Sequence, residues 1–345
     1  MVFLKKKCFR SLSFNLWLNL SKVVLFISAK LLSCNTIKHP DRYMGQQWKN
    51  ERLLILVSFA IIYIIWGATY LFNYYAIQDI PPFFLCGSRF FLAGILLFIW
   101  GKLQGQPWPS WRDWKNTTII GFFFLTIGVG GVVWAVQFVD TGIASLVVAF
   151  EPLLVILLMW ILKGKRPGLK SIFGTVLGIS GMTLLVTQNA FITDRNTMLG
   201  ILSIGISILS WATITIYINQ IKQPESRTQS AAMQMIGGGA LLFLISPFTG
   251  EQAGFIPADI GLKAILSLGY LVFLGSILAF SAFNYLLSKV SPEKVATSNY
   301  VNPVVALFLG WAFNSEILTN QSLIAAVLLL TGVFFIINRS KKEVG

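Results

Sequence analysis

Residues 151–160 read EPLLVILLMW and residues 302–311 read NPVVALFLGW. A polar residue, a proline and an apolar run closed by tryptophan thus recur at an offset of 151. The same offset carries Gly181 in SGMTLLV onto Gly332 in TGVFFII. Earlier, IWGATY (Ile65–Tyr70) faces SWATIT (Ser210–Thr215) at an offset of 145. These matches read as a duplication. The additional residues enter between them, and the long apolar block 262–288 has room for them.

The surroundings of these strings decide the class. The chain has 345 residues, 55% of them hydrophobic and 12% charged, too little polar surface for a soluble protein of this size. Apolar blocks run over 52–72, 83–101, 117–138, 142–163, 169–188, 198–220, 229–248, 262–288, 293–314 and 319–338. Each is close to the roughly 20 residues that cross about 30 Å of hydrocarbon. The pattern predicts an all-α polytopic membrane protein with ten transmembrane helices.

The net charge of +14 does not point to nucleic acid, because Lys and Arg fall in short clusters between apolar blocks. Alternate loops and the two flanks hold 16 of them, from Lys49 and Arg52 to Arg339, Lys341 and Lys342. The opposite loops hold only Arg195 and Lys263, beside several acidic residues. Basic loops stay in the cytoplasm, so both ends of the ten-helix core are expected there. Five spans per half is an odd number, which turns the second copy upside down. Inverted repeats of this kind are typical of transporters that alternate access. The expected units are 44–190 and 191–338, followed by a basic tail at 339–345.

Residues 1–43 do not fit this plan. KKKCFR precedes a weak apolar segment that Lys22 and Lys30 interrupt. A signal peptide and an amphipathic surface helix are both open readings. So is an upstream over-translation, since Met44 opens MGQQWKNERLLILV in the manner of a natural start.

Three longer strings carry a family resemblance: WGATYLFNYYAIQDIPPFFLCGSRFFLAG, GIASLVVAFEPLLVILLMWILKG and AFSAFNYLLSKVSPEKVATSNYVNPVVALFLGW. They resemble the EamA-like branch of the drug/metabolite transporter superfamily, over about residues 52–338. The resemblance implies two five-helix halves around a central cavity, and export or exchange of small metabolites. Amino acids and related compounds come first among substrates, and lipophilic drugs are the alternative.

Helical spacing selects the residues expected to line that cavity. The first helix offers Tyr63, Trp66, Tyr70 and Asn73 on one face, and its repeat partner offers Ser203, Ser207 and Ser210 with Trp211 beside them. Trp134 and Gln137 come from the third block, Asn284 from the eighth, and Asn299 and Asn302 from the ninth. Single Ser and Thr residues more often bond between packed helices than touch a ligand. Two charges lie within spans, Arg89 and Glu151, at similar depth from the outer side. They fit either a static ion pair or a pathway for substrate and protons. Pro152 and Pro303 are expected to kink their helices, each freeing a carbonyl one turn earlier. The pair Gly174 and Gly178 serves close helix packing, within the chain or in a homodimer.

An enzyme or a scaffold is the rival class. The single histidine, His39, lies in the leader, so His-based metal sites and triads are not expected in the core. Neither a cofactor motif nor a nucleotide-binding loop appears. The expected partners are a small-molecule substrate, protons and the lipid bilayer.

Overall fold

In the computed structural model the described residues are 44–139, 144, 147–164, 166–186, 195–314 and 319–337. The leader 1–43, the tail 339–345 and part of the fourth predicted span lie outside them. The described residues form helices and turns, with no strand among them. In chain order the helices are α1 (Met44–Ala76), α2 (Pro82–Leu103), α3 (Trp111–Ala135), α4 (Glu151–Lys163) and α5 (Leu169–Val186). They continue with α6 (Arg195–Tyr217), α7 (Arg227–Ile245), α8 (Leu262–Lys289), α9 (Ser298–Asn314) and α10 (Asn320–Ile337). Six of these, α1, α2, α3, α6, α7 and α8, are long and apolar enough to cross a membrane.

Capping shows how the sequence starts these helices. Ser110 and Asp113 form a reciprocal capping box at α3: the Asp113 amide donates to Ser110 Oγ, and the Ser110 amide donates to Asp113 Oδ2. Two other caps come from distant loops. The Glu251 carboxylate accepts from the amides of Phe83 and Phe84, both at 2.9 Å, at the start of α2. Asp79 Oδ2 accepts from the Gly261 amide at 2.9 Å, at the start of α8. An acidic group at a helix N-terminus meets unpaired amides and the positive end of the dipole. Such a cap is worth about 1 kcal/mol, and here it also ties connections to helices far away in the sequence.

Glycine allows the closest contacts. A Cβ built on Gly94 of α2 would lie 2.7 Å from the Ile236 amide nitrogen of α7. One on Gly239 of α7 would lie 2.6 Å from the Phe91 nitrogen of α2. On α5, a Cβ at Gly174 would meet the Gly332 carbonyl of α10 at 2.6 Å, and one at Gly178 would strike the Tyr300 ring. The GxxxG face is therefore occupied within the chain, by α10 and α9.

The contacts between helices pair up in a regular way. α2 packs on α7, and α5 on α10. α1 packs on α8 and α9, while α6 packs on α3 and α4. A shift of five helices turns α1–α8 and α1–α9 into α6–α3 and α6–α4, and maps α2–α7 and α5–α10 onto themselves.

α3 and α8 share an irregularity. Phe122–Gly130 and Leu271–Leu278 are π-helical stretches inside otherwise α-helical rods. Wider turns of this kind are rare and often lie at functional sites. In α3 their carbonyls face a ladder of serines from α6. Ser210 Oγ donates to the Phe123 carbonyl at 2.8 Å, Ser207 Oγ to Ile127 at 2.9 Å, and Ser203 Oγ to Gly131 at 3.0 Å. In α8 the Gly275 carbonyl accepts from the Trp66 indole of α1 at 3.1 Å.

The prolines do not act alike. Pro152 sits in the first turn of α4, where a missing N–H has no partner to lose. The expected kink is there a break, with residues 149–150 in a turn. Pro303 lies inside α9 and withdraws the donor that the Asn299 carbonyl would otherwise have.

Candidate functional site

A cavity of about 160 Å³ lies where α1, α2, α3, α6, α8 and α9 converge on the start of α4. At roughly 10–15 Å³ of such space per water, it holds on the order of ten waters or one small organic molecule. Both π stretches contribute to its wall, through Leu125, Gly128 and Val129 on one side and Gly275 on the other.

Of the residues singled out in the sequence, Trp66, Tyr70, Asn73, Arg89, Glu151, Trp211, Asn299 and Asn302 line this cavity. Three do not. Trp134 packs on Phe138 at 5.0 Å, the exposed Gln137 donates to the Trp134 carbonyl, and Asn284 donates to the Phe280 carbonyl of its own helix. Tyr63 shares the face of Trp66 yet bonds Thr297 at 2.7 Å. The serine stripe of α6 is consumed mainly by α3, with only Ser207 also reaching the cavity.

Periodicity did not select Phe280, Phe283, Thr69 and Ser298, which also line the cavity. Phe283 stands 5.1 Å from Trp66 and 5.4 Å from Trp211, centroid to centroid. Phe124 closes the cluster behind them, 4.8 Å from Trp211. Each aromatic pair in such geometry adds about 0.5–1.5 kcal/mol beyond its buried area.

The two intramembrane charges each have 5% exposure. They do not form an ion pair with each other, so the static pair is not what holds them. Arg89 donates from Nε to Ser276 Oγ at 2.8 Å and lies over the Phe90 ring. Glu151 accepts at Oε2 from Asn299 Nδ2. Leaving a buried charge without a counter-charge costs several kcal/mol unless dipoles or a ligand meet it. Here a hydroxyl and an amide meet part of each, and the cavity meets the rest. In the same cavity the Oδ1 atoms of Asn73 and Asn302 have no hydrogen-bond partner among the described residues. Unsatisfied polar atoms in a polar cavity call for water or ligand.

A duplicated core around a charged, aromatic cavity agrees with what sequence comparison finds. The model of the EamA-like transporter family matches this chain twice, over residues 53–187 and again over 198–338. The chain belongs to the EamA-like transporter family. Among EamA-like relatives it is 33% identical over 276 residues to the "Uncharacterized inner membrane transporter YedA" of Escherichia coli strain K12. That match covers 80% of this chain and 88% of YedA. The "Probable amino-acid metabolite efflux pump" of the same strain is 25% identical, with 79% and 91% covered. A crystal structure described only as "Crystal structure of protein" has the same fold, with a TM-score of 0.66 at 20% identity. It covers 82% of this chain and 96% of its own. The chain is thus a multi-pass transporter of the cell membrane.

Proposed function

We propose that this EamA-like protein is a secondary transporter that exports amino acids or related metabolites by alternating access, with proton coupling at Glu151. The protein acts as a permease and not as an enzyme. The observation that carries the reading is a cavity walled by corresponding elements of both halves, with both intramembrane charges at its surface. The name of the efflux-pump relative supports the substrate class.

In this reading the fold has ten transmembrane helices arranged as two inverted five-helix repeats. The double family match, the matched π stretches and the five-helix shift in the packing pattern support it. The basic loops put both ends of the core in the cytoplasm. Rocking one half against the other would open the cavity to each side in turn. The aromatic wall favours a second reading, efflux of lipophilic compounds, and its test is the same.

Purified protein in proteoliposomes should exchange internal for external radiolabelled amino acid, and a pH gradient should drive accumulation. Exchange of ethidium with no amino-acid exchange would favour the second reading. The absence of both would remove the transport assignment.

A further inference from the structure

We propose that the free edge of the Arg89 guanidinium holds the carboxylate of a zwitterionic substrate whose amine lies toward Glu151. This assignment rests on the transport reading. Arg89 is 95% buried, and among the described residues its only hydrogen bond runs from Nε to Ser276 Oγ. Arg89 lines the cavity, and among the described residues no carboxylate pairs with it. Guanidinium and carboxylate suit each other through paired, charge-assisted hydrogen bonds, and Arg89 keeps an edge free for one.

The neighbourhood holds that edge in place. A Cβ on Gly275 would lie 3.0 Å from Arg89 Nη2, so the missing side chain lets the guanidinium lie close to the π stretch. The Gly275 carbonyl is already taken by the Trp66 indole. The opposite pole has the same form: Glu151 uses Oε2 for Asn299, while among the described residues Oε1 has no donor.

Charge balance narrows the substrate. Among the described residues the cavity lining contains one Arg and one Glu, and no Lys, His or Asp. A phosphate dianion would leave excess negative charge beside Glu151, in a place where uncompensated charge is costly. A molecule with one carboxylate and one ammonium gives each pole its counter-charge. Its apolar body would rest against Trp66, Trp211 and Phe283.

The test uses proteoliposome exchange of L-phenylalanine and L-leucine, their carboxamides, and ethidium. The wild type should exchange at least one of the acids with kcat/KM at least ten-fold above its amide. Arg89→Gln should lower exchange of that acid at least ten-fold and leave the amide within two-fold, and Arg89→Lys should recover part of the loss. If Arg89→Gln does not fold, Ser276→Ala should raise KM for the acid and not for the amide. Equal handling of acid and amide by the wild type, or equal effects of these substitutions on both, would overturn the assignment and leave transport standing. Exchange of ethidium alone would do the same. No exchange of any compound would remove the transport reading and this assignment with it.

Discussion

Trp66 and Trp211, corresponding positions of the two repeats, meet edge to face with ring centroids 6.0 Å apart. Each comes from the first helix of its half, and both border the cavity. The relationship joins the duplication to the site, because the matched tryptophans form one wall together.

That wall makes a first prediction. Trp211 touches Phe124, Phe283 and Trp66, so Trp211→Ala removes a ring at the centre of the cluster. The loss should be about 3–5 kcal/mol if the space does not collapse. Thermal unfolding in detergent measures it, and Trp211→Phe should recover more than half. A shift below about 1 kcal/mol for the alanine variant would place the ring outside the packed core.

The residues that sequence reading found, and those it did not, have a common cause. Trp66, Tyr70 and Asn73 follow ordinary helical spacing on α1 and line the cavity. Trp134 and Gln137 follow the π stretch of α3, and Asn284 follows that of α8. A π turn bonds i to i+5, so each insertion rotates everything after it relative to a 3.6-residue register. Asn284 bonds back to the Phe280 carbonyl of its own helix, and Phe280 and Phe283 face the cavity instead. Apolar periodicity carries no mark of such a stretch. The all-helical, multi-pass membrane character was legible because hydrophobic length needs no phase. Pro152 reads as a kink in sequence, yet it begins a helix, since the turn before it depends on tertiary contacts.

The α3–α6 contact gives a second prediction. A Cβ on Gly131 would lie 2.3 Å from Ser207 Oγ, the hydroxyl that bonds the Ile127 carbonyl. Gly131→Ala should therefore cost about 1–3 kcal/mol. In a Ser207→Ala background the same substitution should cost less, because the clashing atom is gone. Additive losses in this double-mutant cycle would mean that the two groups do not collide.

Orientation is checked by labelling. The basic loops predict that Gln252, between α7 and α8, faces outward. With native cysteines replaced, Gln252→Cys should react with an impermeant thiol reagent applied to intact cells. Reaction only after the inner face is opened would invert the assignment.

The leader is tested by removal. Residues 1–43 lie outside both family matches, the first of which begins at residue 53. A protein started at Met44 should insert and exchange substrate at the full-length rate. Loss of insertion would show that the leader is a targeting or anchoring element.

The central claim is that Glu151 links proton occupancy to transport. It faces the cavity from the first turn of α4, and its other contact is the Asn299 amide beside Pro303. The corresponding position in the second half is Asn302, which cannot ionise, so the proposed coupling is confined to one half. The decisive measurement is substrate accumulation driven by a pH gradient in proteoliposomes containing Glu151→Gln. The variant should express and fold, exchange substrate at equal pH at a reduced rate because the counter-charge for the ammonium is gone, and lose gradient-driven accumulation altogether. Full gradient-driven accumulation by a well-folded Glu151→Gln protein would contradict the account.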